Sequence, residues 1–118
     1  MNMKKLLKSM QYASAGIAHA WRTQRNVRIQ GICAFGVVML ALILKVSSLQ
    51  WALLLLAIGL VIMAELFNTA VEEIVNWVSP QFHERARKIK DVTAGATAIA
   101  ALVAALIGMI IFAPHFLP

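Results

Sequence analysis

The sequence predicts an all-α membrane protein, a single domain over residues 1–118 with an N-terminal amphipathic surface helix and three transmembrane helices. Three observations carry that reading. Of 118 residues, 61% are hydrophobic and only 14% charged, with a mean hydropathy of +0.78, more apolar surface than a soluble chain this short could cover. The apolar residues gather into three long runs separated by short polar connections. Finally, ten of the eleven Lys and Arg residues lie before the first run or between the second and third, and only Lys45 lies in the other connection. By the positive-inside rule, that asymmetry places the N-terminus and the second connection in the cytoplasm and the C-terminus outside.

The first element, about residues 3–24, has the period of a helix. Leu6, Met10, Ala13, Ile17 and Trp21 recur at spacings of three and four, while Lys4, Lys8, Gln11, Ser14, His19 and Arg22 collect away from them. A basic polar face opposite an apolar one suits a helix lying in the headgroup plane. Trp21 is thereby a candidate lipid contact, and Tyr12, near the boundary of the faces, an interfacial anchor or ligand contact.

The first span covers about residues 27–46. Ile29 to Leu44 is slightly short for the ~20 residues a bilayer needs, so Val27 and Val46 extend it and Arg28 and Lys45 snorkel to the two interfaces. Val46 to Gln50 is a tight outer connection that returns the chain antiparallel. The second span, about 50–77, is longest, and Trp51 and Trp77 suit outer and inner interfacial belts. Ser79-Pro80 stops it. The third span, about 85–113, begins with a cationic turn (Arg85, Arg87, Lys88, Lys90) and ends at Pro114, leaving His115 to Pro118 as an outer tail. Ala94, Gly95, Ala98, Ala101, Ala105 and Gly108 give it small side chains that permit close helix approach.

Within the second span, Glu65, Asn68, Glu72 and Asn76 fall at spacings of three, four and four and share one helical face. A carboxylate facing lipid costs roughly 2.5–3.5 kcal/mol or more, so such groups face a bundle interior or a watery cavity. A plain helix exit with solvated charges would account for Glu73, which lies off the stripe, but not for Glu65, about three turns before Trp77. The stripe runs from lipid depth to cytosol, a path from a lipid headgroup to a water-soluble reactant. Three thin helices enclose a charged site poorly, so a homo-oligomer sharing the site between subunits is expected.

Other chemistries lack their signatures. The basic residues serve as topology determinants before anything else, and no nucleic-acid partner is expected. Cys33, the single cysteine, reads as an inert core residue. His19, His83 and His115 show no metal-site spacing, and no Walker A sequence, kinase Gly-rich loop or nucleophile elbow occurs.

At E-L-F-N-T-A-V-E in the second span (Glu65 to Glu72) and S-P-Q-F-H-x6-K-D entering the third (Ser79 to Asp91), the chain resembles the bacterial integral membrane lipid kinases, diacylglycerol kinase and undecaprenol kinase. Tyr12, Gly16 and Trp21, as Y-x3-G-x4-W, and the R-N-V-R at Arg25 to Arg28 extend the match over essentially the whole chain. The resemblance implies a homotrimer in the bacterial inner membrane, with composite sites facing the cytoplasm, that uses ATP and Mg²⁺ to phosphorylate a lipid alcohol. Undecaprenol leads as acceptor, with diacylglycerol as runner-up. Carried over by position, Glu65 matches the general base acting on the lipid hydroxyl, and Asn68 would orient reacting groups. Glu72 matches the carboxylate holding the nucleotide's metal, Lys90 and Asp91 the nucleotide-site pair, and His83 and Tyr12 positions near the nucleotide.

Two positions depart from the family pattern. Gln24 stands where a second metal-binding glutamate is usual; its amide oxygen can still serve the metal and the nucleotide site, with one less charge. Asn76 stands where an aspartate is usual. A small ion-conducting protein with Glu65 as relay is the alternative from another class, with a non-catalytic membrane subunit as a third possibility. A relay would need polar partners along the outer half of the second span, and Ala52 to Ala64 offers none.

Overall fold

The computed structural model describes residues 2–118, which form four helices, α1 (Met3–Thr23), α2 (Arg25–Leu44), α3 (Ser48–Val78) and α4 (Glu84–Phe116). Each begins or ends for a local reason. Asn2 caps α1, its Oδ1 accepting from Lys5 N at 2.9 Å. One extended residue, Gln24 (φ −118°, ψ 113°), separates α1 from α2, so this residue is a corner rather than the last turn of the surface helix. At the far end of α2, Lys45 adopts the left-handed conformation (φ 53°, ψ 53°) and Val46 N donates to Ala41 O at 3.3 Å. Val46 therefore does not lengthen the span. It turns inward and packs with Ala41, Leu54 and Ile111.

Ser47 and Gln50 then form a reciprocal capping box that starts α3, with Gln50 N donating to Ser47 Oγ and Ser47 N to Gln50 Oε1. At its other end Ser79, kept out of the helical region by the following Pro80 (φ −133°, ψ 78°), terminates α3 as expected. His83 Nδ1 accepts from Arg85 N at 3.1 Å and caps α4. Pro114 does not stop that helix, which continues to Phe116. A proline this close to the C-terminus forfeits one bond, to Ile110 O. The last turn keeps two others: Leu117 N donates to Ala113 O at 3.2 Å and His115 Nδ1 to Ile111 O at 3.1 Å.

Helices α2, α3 and α4 are long and apolar enough to cross a membrane. Large side chains such as Phe35, Ile43, Leu102 and Ile110 stand exposed on them, as lipid-facing residues would. α3 is the centre, packed most extensively on α4, less on α2 and touched by α1. On α4 the shielded positions Ala86, Lys90, Thr93, Thr97, Ala100, Ala104, Ile107 and Ile111 alternate at spacings of four and three. Leu54, Ile58, Val61, Glu65, Asn68, Glu72, Val75 and Ser79 do the same on α3. This is the seam of a closely aligned helix pair, and Glu65, Asn68 and Glu72 of the acid–amide row are part of it, with Asn76 exposed at its edge.

Two further expectations change. Cys33 is exposed and lines an apolar groove of about 260 Å³ between α2, α3 and α4 instead of sitting in a core. In a thin bundle with no hydrophobic drive to hide apolar groups from lipid, a small apolar residue need not be inside. The Arg28 guanidinium folds back onto α1, donating to Trp21 O at 2.8 Å and Arg22 O at 3.1 Å. A cation there meets the unpaired carbonyls of a helix C-terminus.

Candidate functional site

The seam between α3 and α4 changes character along its length. Leu54, Ala57 and Val61 are buried apolar residues; one turn on, Glu65 is buried with 7% exposure, and Thr69 with 5%. Thr69 Oγ1 donates to Glu65 O at 2.9 Å, satisfying its hydroxyl inside the helix. Asn68 Nδ2 donates to Glu72 Oε1 at 3.3 Å. That bond orients the amide, and it leaves Asn68 Oδ1 buried without a hydrogen-bond partner among the described residues. An orphaned buried acceptor is costly, of order 1–3 kcal/mol, and marks where a donor or cation belongs.

Next along the seam, Lys90 Nζ donates to Asn76 Oδ1, joining the start of α4 to the end of α3. Both residues line a notch of about 180 Å³ with Ser79, Gln81, Phe82 and His83. The notch is smaller than the 300–1,000 Å³ typical of ligand sites. His83 uses Nδ1 for the helix cap, so its ring is held at the rim.

The remaining candidates make no hydrogen bond to this row. Asp91 is exposed and pairs with Arg87 at 3.7 Å on its own helix, while Lys90 turns the other way to Asn76. Tyr12 is exposed on α1. Gln24 is half-buried at the α1–α2 corner and makes no side-chain cap. Trp21 lies against α2, close enough that a Cβ on Gly31 would come within 2.6 Å of its ring.

Two residues that the sequence reading left out of the site join its surroundings. His19 Nε2 donates to Glu73 Oε1 at 2.6 Å and links α1 to α3 beside Glu72. No local pattern announces a pair 54 positions apart. A charged residue off the stripe but on the same helix was its only trace.

Residues 11–112 match the family described as prokaryotic diacylglycerol kinase. The chain belongs to that family. Undecaprenol kinase of Bacillus subtilis is 32% identical over 112 residues, which cover 95% of this chain and 91% of that protein. Diacylglycerol kinase of Synechocystis is 39% identical over 113 residues, 95% of this chain but 65% of that longer protein. Diacylglycerol kinase of Escherichia coli is 29% identical, with 95% and 92% covered. The prokaryotic diacylglycerol kinase family makes this protein a lipid kinase, and kinase chemistry implies ATP as phosphoryl donor.

Among the described residues no three His, Cys, Asp or Glu side chains cluster in a way that could hold a metal unaided. The donors at the seam, the Glu72 carboxylate and the orphaned Asn68 Oδ1, are nevertheless oxygens. That set fits Mg²⁺, which commonly takes one or two carboxylates and completes its shell with water and substrate phosphate.

Proposed function

We propose that this lipid kinase transfers the γ-phosphoryl group of ATP to the hydroxyl of a membrane lipid alcohol, undecaprenol first, at the α3–α4 seam. The orphaned Asn68 Oδ1 between Glu65 and Glu72 carries the reading, because it demands a partner exactly where headgroup and phosphates would meet. Glu65, deepest in the row, takes the proton of the lipid hydroxyl as general base. The freed oxygen then attacks the γ-phosphorus while the bond to the ADP oxygen breaks. Asn68 orients the reacting oxygens, and the Lys90 ammonium, Tyr12, His83 and Asp91 serve the nucleotide. Such transfer needs in-line placement and neutralised charge more than covalent chemistry. Glu72 and Gln24, with Asn68 Oδ1 nearby, would hold Mg²⁺, which when bound neutralises phosphate charge.

On this reading α1 lies in the inner headgroup plane with Trp21 toward the lipid substrate. The N-terminus and the site face the cytoplasm and the C-terminus lies outside. The protein works as a homo-oligomer, a homotrimer by family resemblance. Two features support assembly: the small notch, which holds only part of a nucleotide, and the exposure of Ala94, Gly95 and Ala98 off the α3 seam. Diacylglycerol is the second acceptor to weigh, because the Synechocystis relative at 39% identity carries that name. The test is an ATP phosphorylation assay offering undecaprenol and diacylglycerol side by side in mixed micelles. Faster labelling of undecaprenol supports the first reading, faster labelling of diacylglycerol the second, and labelling of neither defeats both.

A further inference from the structure

We infer that His19 and Glu73 form a latch that docks α1 on α3, and that both are positioning residues for the phosphoryl transfer proposed above, on which the second half of the inference rests. The contact is short, 2.6 Å, and joins residues 54 positions apart, with each side chain about half exposed. An imidazole N–H donating to a carboxylate has a charged acceptor, which makes this a charge-assisted hydrogen bond.

The architecture around this contact gives it leverage. Only Gln24 separates α1 from α2, so α1 is a rigid rod hinged at one residue. Near the hinge, Arg28 holds the carbonyls of Trp21 and Arg22, and the Trp21 ring lies against Gly31. Those contacts seat only the last turn of α1 on α2, so a swing of α1 about Gln24 disturbs the Trp21 ring. His19 is the point where α1 is tied to the helix that bears Glu65, Asn68 and Glu72. Farther out, α1 is open: Met3, Met10 and Tyr12 are 67%, 58% and 72% exposed. Tyr12 lies seven residues beyond His19, about 10 Å along the rod. A swing about Gln24 moves Tyr12 more than it moves His19. The latch thus controls where Tyr12 stands and how Gln24 is presented, while Glu65 and Asn68 stay fixed in the seam.

That division predicts a split between binding and turnover. With Trp51→Phe and Trp77→Phe in place, Trp21 is the sole tryptophan and reports α1 docking by its emission, whether or not the protein is active. In this background His19→Ala and Glu73→Ala should each raise KM for Mg-ATP about two- to fivefold, the range expected for one half-exposed ion pair. The kcat should stay within about twofold, since the transfer groups are untouched. Trp21 emission should shift to the red in both. The exchanged pair, His19→Glu with Glu73→His, should recover KM and emission together. Wild-type KM and emission in the single variants would overturn the latch, as would an exchanged pair no better than the singles. Should the wild-type protein phosphorylate no lipid, the kinase reading fails along with the positioning role. The emission of the singles and of the exchanged pair would still decide whether the latch exists.

Discussion

Asn68 gives its amide N–H to Glu72 and keeps its carbonyl oxygen buried and unpartnered, one turn from the buried Glu65. A side chain that merely filled the seam would pair both ends. Asn68→Leu, which keeps the volume and loses both polar ends, should therefore lower kcat by about tenfold or more, the equivalent of one charged-group hydrogen bond. It should also raise the Mg²⁺ concentration at half-maximal activity. Steady-state assays across a metal titration check both, and unchanged values would make Asn68 a packing residue.

Glu65→Gln keeps shape and removes the base. Loss of a general base costs roughly 10²–10⁴ in rate, so transfer should be nearly abolished while helix content by circular dichroism and detergent-solubilised size stay those of the parent. Near-normal turnover would take Glu65 out of the reaction.

Much of this arrangement is legible in the chain. Ser79-Pro80 ends α3 where a proline must, and the three-, four- and four-residue spacing of Glu65, Asn68, Glu72 and Asn76 places them on one side of it. Helix period fixes which residues share a face, but not which neighbour they meet. It could not say that the row faces α4, or that Lys90 would pair with Asn76. The pairing of His19 with Glu73 was hidden for the same reason, since contacts between distant helices leave no periodic mark. The left-handed Lys45 and the helical Pro114 break local preference because tertiary packing and end effects outweigh it: Val46 gains a buried site, and α4 loses a single bond.

Lys90→Ala removes both the tie to Asn76 and one of the two cations, with Arg87, that line the notch. KM for ATP should rise about tenfold or more, in line with a charged hydrogen bond, and KM for the lipid should change much less. Equal rises in the two would assign Lys90 to holding α3 and α4 together.

Gln24→Glu adds a negative charge at the α1–α2 corner. A unit charge about 4 Å from a divalent cation in a water-like setting is worth about 2 kcal/mol, twice the value for two unit charges, so half-saturation by Mg²⁺ should fall about thirtyfold. A metal titration in which the variant needs equal or more Mg²⁺ would show that the corner does not reach the metal.

Gly31 is the one glycine whose replacement meets another side chain at once, because an added Cβ would come within 2.6 Å of the Trp21 ring. The backbone of α2 is helical there and tolerates alanine, which alone favours the helix by about 1 kcal/mol. Against that gain stands the crowding of a rigid ring, which costs about 1–3 kcal/mol when it cannot move. Trp21 is partly exposed, so the ring can escape outward, but only by loosening α1 from α2. Gly31→Ala should then leave the thermal midpoint of the bundle nearly unchanged or slightly lower, while exposing Trp21 to a water-soluble quencher. Adding Trp21→Leu should remove the clash and return the helix-propensity gain as a higher midpoint. A Gly31→Ala protein with Trp21 as protected as in the parent would mean that the ring does not rest on α2.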